Sequence, residues 1–189
     1  ARDHLARVRA ATVRMGRLID DLLALSRVTR VEMAPEPIEL GALAAGVFAE
    51  LRAEAPQRAV ELEVEPGLQA IGDRNLLRVL LQNLLGNAWK FTSRHPTARI
   101  RVGRATTPRG PAFFVADDGA GFDMAYVDKL MRPFQRLHDA DEFPGTGIGL
   151  ATVHRIVRRH GGTAWVEGAV EKGATVFFTL SPAEDPGSR

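Results

Sequence analysis

Between Asn75 and Thr92 the chain reads NLLRVLLQNLLGNAWKFT, in which leucines cover most of a helix and leave one polar stripe. Asn83, Asn87 and Lys90 stand at i, i+4 and i+7, a spacing that places all three on one helical face. Two carboxamides and an ammonium aligned in this way can offer an oxygen ligand to a hydrated Mg²⁺ and a cation to phosphate oxygens. The same spacing also suits an ordinary solvated stripe. Asp73, just upstream, is placed to cap this helix.

The rest of the chain supplies elements for that helix to pack against. From Ala1 to about Arg30, Leu5, Val8, Met15, Ile19 and Leu22 recur at three- and four-residue steps. Leu18 and Leu25 widen the stripe, Thr12 and Ser26 weaken it, and the pattern predicts a long amphipathic helix, one arm of a bundle. VEMAPEP, with Pro35 and Pro37, ends it and reads as a linker, which puts a boundary near residue 34. Leu43, Val47 and Leu51 then mark a second helix, AVELEVE alternates as a strand does, and the turn PGL leads to a short strand ending at Ile71. After the asparagine helix come strands ARIRVGR and AFFVAD across the turn TTPRG, a short helix MAYVDKLM, a helix after Gly147, and strands GTAWVEG and GATVFFTL. Strands and helices mix without regular βαβ alternation, which predicts an α+β fold, a sheet with helices on one face.

Two glycine-containing stretches accompany the polar stripe. VADDGAGF, Val115 to Phe122, sets Asp117 at a strand end, with Gly119 and Gly121 allowing the backbone to fold closely; a buried carboxylate there can accept from an exocyclic amine, and a plain Asp-Gly turn is the alternative. In EFPGTGIGLATVHRIVRRHGG, Gly145, Gly147 and Gly149 precede a helix, whose free N–H groups suit an anion. Neither common phosphate motif fits, since no strand precedes these glycines and no Lys follows them. Taken alone, the cluster also reads as a turn.

Composition narrows the classes. Of 189 residues, 45% are hydrophobic and 25% charged, the proportions of a soluble globular protein. No window approaches the roughly 18 apolar residues of a membrane span, and the first twenty residues are charged throughout, unlike a signal peptide. The chain has no cysteine, hence no disulfide framework and no thiolate chemistry, which fits a cytoplasmic setting. A net charge of +2, with arginines scattered among acids and no basic block, speaks against nucleic acid.

In their order along the chain, the asparagine stripe, the Asp-Gly-x-Gly turn and the Gly-x-Gly-x-Gly loop resemble the N, G1 and G2 boxes of the Bergerat ATP-binding fold. That fold is shared by sensor histidine kinases, type II topoisomerases, a heat-shock chaperone and mismatch-repair ATPases. RPFQRL resembles the F box in the histidine kinase lid, and RMGRLIDDLLALSRV the end of the second dimerisation helix. FQRLHDADEFPGTGIGLATVHRIVRRHGG is most similar to kinases attached to phytochrome or PAS sensors.

The resemblance implies a two-layer sandwich preceded by a long helix. Residues 1–34 would be the second helix of the dimerisation and phosphotransfer bundle plus a linker, 35–184 the catalytic ATP-binding domain, and 185–189 a tail. It implies ATP and Mg²⁺, with Asp117 bonding the adenine amino group, Gly119 and Gly121 shaping the pocket, and Asn87 as the Mg²⁺ ligand. Asn83 would lie beside it and Lys90 would reach the phosphates. Gly145, Thr146, Gly147, Gly149 and Leu150 would wrap the phosphate tail, joined by Phe134 and Arg136 of the lid. His138 is expected in a solvated loop, and His154 and His160 at solvent or closing the helix end, not on a metal. Asp118 departs from the family's asparagine and sets a second charge beside Asp117.

Hydrolytic relatives carry Glu at the position of Asn83; asparagine cannot take a proton, which argues for transfer to a protein histidine over hydrolysis. The rival readings are a hydrolytic ATPase of the same group and a non-enzymatic scaffold that kept the fold. His4 lacks the acidic neighbour and proline of an acceptor, so the acceptor histidine is expected on a first bundle helix outside this chain, and the chain is not expected to phosphorylate itself. The partners implied are a second copy through the bundle, a response-regulator receiver domain and an upstream sensor domain, with no membrane contact.

Overall fold

The computed structural model describes residues 32–130, 134, 135, 142, 143 and 145–180, and within 1–31 it describes His4, Arg9, Thr12, Met15, Gly16, Leu18, Ile19, Leu22, Leu23, Leu25, Ser26 and Val28. All of these early residues are helical. Of the expected seam, Leu5 and Val8 lie outside the described residues, while Met15, Ile19 and Leu22 are exposed. Val28 instead is buried within the main core.

The prolines expected in a linker belong to a strand. β1 (Pro35–Glu39) pairs antiparallel with β3 (Gln69–Asp73), Pro35 opposite Asp73 and Pro37 opposite Ile71, in a two-stranded ribbon. Proline is tolerated in such an edge position because no inner ladder needs its missing N–H. α1 (Leu40–Glu54) and β2 (Ala59–Val64) follow β1, and α2 (Arg74–Phe91) follows β3. Next come β4 (Thr97–Thr107), β5 (Gly110–Asp117), a 3₁₀ turn at Met124–Tyr126, the short α3 (Val127–Leu130), α4 (Gly149–Arg159), β6 (Ala164–Gly168) and β7 (Ala174–Phe178).

The main sheet has five strands in the order β2-β4-β5-β7-β6; β2 runs parallel to β4 and every other pair is antiparallel. α2 lies on one face of it. Leu77, Leu80, Leu81, Leu84 and Leu85 are almost fully buried against Ile100, Val102, Val115 and Phe178 of the strands, with Val47 of α1 and Val153 and Ile156 of α4 in the same cluster. Each such leucine contributes about 1.5–3 kcal/mol through burial. The opposite face carries Phe114, Phe177 and Trp165 in register, with Arg101 over Phe114 and Arg109 over Trp165. This is the expected α+β arrangement, a mixed sheet with helices on one face.

Asp73 performs the capping role that the sequence suggests. Its Oδ1 accepts from Leu76 N at 3.0 Å, and its Oδ2 accepts from Ala34 N at 3.1 Å, tying the start of α2 to the chain ahead of β1. Its own N–H donates to His160 Nε2 at 3.0 Å, and His160 Nδ1 meets Ile156 O at 2.8 Å, which identifies the Nδ1-protonated tautomer. Of the two placements expected for His160, the buried helix end is the observed one. The ring lies so close to Gly72 that a Cβ there would sit 2.9 Å from it.

Burial works against the Asp73 charge, but the N–H groups of Leu76, Ala34 and Asn75, with His160 nearby, outweigh it and hold the carboxyl below its ordinary value. A depressed carboxyl stabilises the fold above the unfolded value of 3.8, and the contribution is lost as pH falls through the folded one. Asp73→Ala is expected to cost about 1–2 kcal/mol at pH 7 in denaturant unfolding. The gap to wild type should shrink below about pH 4; a gap that stays constant with pH would show that the carboxylate charge is not what caps α2.

Candidate functional site

The polar stripe of α2 looks into a cavity of about 490 Å³ bounded by α2, α4, β5 and the turns beside them. Asn83, Asn87 and Lys90 all line it. Lys90 Nζ donates to Asn87 Oδ1 at 3.3 Å, and Asn83 Nδ2 donates back to Val79 O at 2.8 Å, which leaves Asn83 Oδ1 turned toward α4. The start of α4 abuts that stripe: a Cβ on Gly149 would lie 2.8 Å from Asn83 Oδ1 and 3.8 Å from Asn87 Nδ2. Glycine lets the helix start come this near with the Asn83 amide left where it is. Ile148 at the N-cap offers no side-chain oxygen to the first N–H groups, and the first turn holds no acidic residue, so the positive end of the helix faces the cavity.

The other glycines of the loop have separate tasks. A Cβ on Gly145 would stand 3.2 Å from Lys90 Nζ. Gly147 has φ 78°, a Cβ on it would stand 2.8 Å from Gln135 O, and its carbonyl accepts from Phe134 N at 3.1 Å. The two ends of the loop therefore meet at Gly147. Thr146 and Leu150 also line the cavity; Phe134 does not, and stands 56% exposed with φ 65°. Arg136 and His138 lie outside the described residues.

Asp117, at the end of β5, closes the opposite side of the cavity. Its Oδ1 accepts from Gly119 N at 3.0 Å. Gly121, with φ 59°, lines the cavity, and a Cβ there would fall 1.9 Å from Ala169 O. Gly119 does not line it; its part is to let the loop press on the end of α2, since a Cβ would fall 2.5 Å from Phe91 O, which accepts from Ala120 N at 3.1 Å. Asp118 turns away, accepting from Arg99 N at 3.0 Å.

Sequence reasoning missed the apolar walls. Phe122, Val166 and Val176 line the inner end beside Asp117. Phe143, 2% exposed, packs edge-on against Phe91 at 5.2 Å with the Arg94 guanidinium 5.0 Å from its centroid, and Arg94 also pairs with Glu142. The signal was a lone phenylalanine in an otherwise polar loop, DADEFPG.

Residues 72–184 match the family described as histidine kinase-, DNA gyrase B- and HSP90-like ATPases. The chain belongs to this family. Within it, the similarity runs to sensor histidine kinases. The methanogenesis regulatory histidine kinase FilI of Methanothrix harundinacea is 33% identical over 93% of this chain and 20% of its own length. Cyanobacterial phytochrome A of Nostoc sp. is 34% identical over 88% of this chain and 22% of its own length. The chain thus spans about a fifth of these relatives. Among solved structures, full-length ShkA in complex with AMPPNP aligns with a TM-score of 0.70 at 25% identity, over 96% of this chain and 40% of that one. The mycobacterial sensor histidine kinase MprB aligns at 0.63 and 26%, over 78% and 97%. The chain carries a sensor histidine kinase ATP-binding domain.

In this domain Asp117 is shifted the opposite way to Asp73. Burial pushes its carboxyl up to about 6, opposed by the Gly119 and Ala174 N–H groups, raised further by Asp118 and lowered by His95. A carboxyl raised in this way helps the fold only while protonated: the contribution is complete below 3.8 and is lost as pH rises through about 6. The ligand-free Asp117→Asn variant is therefore expected to exceed wild type in stability at pH 7 by on the order of 2–3 kcal/mol, the gap closing toward pH 4. Unfolding curves that differ equally at pH 4 and pH 7 would contradict this.

Proposed function

We propose that the chain binds ATP with Mg²⁺ and transfers the γ-phosphate to a histidine of a separate bundle helix, as the catalytic region of a two-component sensor kinase. The approach of the α4 start to Asn83, where a Cβ on Gly149 would sit 2.8 Å from the amide oxygen, carries this reading. It joins a helix N-terminus suited to anionic phosphate with two carboxamides and the Lys90 ammonium in one cavity. Asp117 accepts from the adenine amino group, with Phe122 and Val176 against the ring. Lys90, Gly145, Thr146 and Gly147 hold the phosphates, with Arg136 and Phe134 assigned to the lid by resemblance.

Mg²⁺ fits this donor set in one way. Among the described residues no three His, Cys, Asp or Glu cluster together, and a Mg²⁺ here would be held mainly by phosphates and water. Asn87 is the side chain assigned to it. When bound, the ion neutralises charge on the phosphates. Asn83 stands where a hydrolytic site needs a base, which favours transfer to a protein acceptor over attack by water. Met15, Ile19 and Leu22, exposed on the N-terminal helix, form the face for the bundle and a second copy. A receiver domain takes the phosphoryl group onward, an upstream sensor domain supplies the input, and the whole acts in the cytoplasm. No helix among the described residues is long and apolar enough to cross a membrane.

Calorimetry is expected to show Mg²⁺-dependent ATP binding, weakened by about 1–3 kcal/mol in Asp117→Asn. Labelled ATP should leave the isolated chain unlabelled and give acid-labile label on an added bundle from the same parent protein, because the acceptor must arrive in line with the γ-phosphate. Label on the isolated chain that vanishes in His4→Ala would make His4 the acceptor and overturn that half. Steady release of phosphate without label on the bundle would establish the hydrolytic reading.

A further inference from the structure

α2 ends without the left-handed glycine that commonly closes a helix. Its C-cap is Thr92, with φ −89° and ψ 2°. A helix end leaves its last carbonyls short of intrahelical partners, and here side chains add to what the backbone supplies: Ala88 O accepts from Thr92 N at 3.1 Å, and Trp89 O lies 3.1 Å from the Thr92 hydroxyl. Thr92, fully buried, donates its hydroxyl to Ala88 O at 2.8 Å. Arg58, in the turn between α1 and β2, donates Nη1 to Trp89 O at 2.7 Å and Nη2 to Thr92 Oγ1 at 3.3 Å. Its guanidinium lies 4.4 Å from the centroid of the Trp89 ring, and that ring meets Phe48 of α1 edge-on at 5.6 Å. A carbonyl, a hydroxyl and a ring face thus hold one planar fork.

The turn gripped in this way is the part of α2 on which the site depends. Lys90 follows Trp89 directly, with its Nζ on Asn87 Oδ1 and 4.3 Å from the Phe91 ring centroid. Phe91 carries the lid contact through its ring and the Asp117 loop through its carbonyl. Arg58 itself does not line the cavity. The Asp117 loop has a further tie of its own, Glu171 N to Ala120 O at 2.7 Å, and Lys90 rises directly from the turn that Arg58 grips.

We infer that Arg58 is a positioning residue for the phosphate end of the site, setting the last turn of α2 from outside and so the direction in which Lys90 presents its ammonium. The inference rests on the reading of the cavity as an ATP site. Lysine at this position keeps the charge but has no planar fork to hold carbonyl and hydroxyl while lying on the indole. Methionine keeps the volume and removes both charge and donors.

The experiment is calorimetry with Mg·ATP and with adenosine on wild type, Arg58→Lys and Arg58→Met, each with Lys90 intact and with Lys90→Ala. Arg58→Met is expected to lose roughly three- to tenfold in ATP affinity and Arg58→Lys less, with adenosine affinity held within about twofold. Once Lys90 is alanine, neither Arg58 substitution should weaken ATP further. Equal ATP losses with and without Lys90, parallel losses for adenosine, or unchanged ATP affinity would each overturn the inference. If Arg58→Met does not fold, the Arg58→Lys measurements decide by the same comparison. Wild-type protein that binds neither ligand would overturn the ATP reading and the inference together, whereas wild-type binding with additive Arg58 and Lys90 effects overturns the inference alone.

Discussion

The leucine face of α2 is the constraint on which the rest of the structure depends. Leu77, Leu80, Leu81, Leu84 and Leu85 are held between the sheet and the flanking helices, so the rotation of α2 about its axis is fixed by packing. Helical geometry then leaves no choice in where Asn83, Asn87 and Lys90 point. The core is not merely a support under the site; it aims the site. The cavity exists because α4 and the Asp117 loop approach that one polar stripe and leave room between them.

What could be seen in the sequence was whatever repeats or sits at a fixed short offset. The asparagine stripe, the Asp73 cap and the period-two strands are local signals, and the structure has each of them where the residues suggested. The prolines at 35 and 37 were misleading because they usually punctuate chains; pairing with β3, more than thirty residues away, makes them an edge strand. Arg58 and Phe143 carry no local pattern at all. Arg58 reaches Trp89 across 31 residues, and Phe143 reaches Phe91 through a loop whose course no periodicity describes. The inner walls were legible as strand residues, but which of them would face a ligand depended on strand order, and β7 lies between β5 and β6.

The glycines divide between two kinds of necessity. Gly119 is required by the Phe91 carbonyl that stands opposite it, where any side chain would force neighbouring elements apart, whereas Gly149 faces the Asn83 amide oxygen, which a side chain there would turn aside. Gly121 and Gly147 add a left-handed backbone to the same crowding. A motif written as glycines at alternate positions therefore hides different tasks: seating a loop beside Lys90, closing the neck of that loop, and docking a helix start on an asparagine. Asp117 shows the same tension in electrostatic form, since the burial that comes with its place in the cavity wall also opposes its charge.

The end of the N-terminal helix belongs energetically to the domain that follows it. Val28 is buried in the core of that domain, its carbonyl accepts from Arg159 at the end of α4, and Ala34 N is held by Asp73 at the start of α2. A cut at residue 34, where the prolines suggest a boundary, would leave a hole in the core and strip a partner from each of the two helices that carry the site. The covalent seam and the thermodynamic one fall in different places, so an excised domain would need to begin before Val28 to keep the neighbours it has in the longer chain.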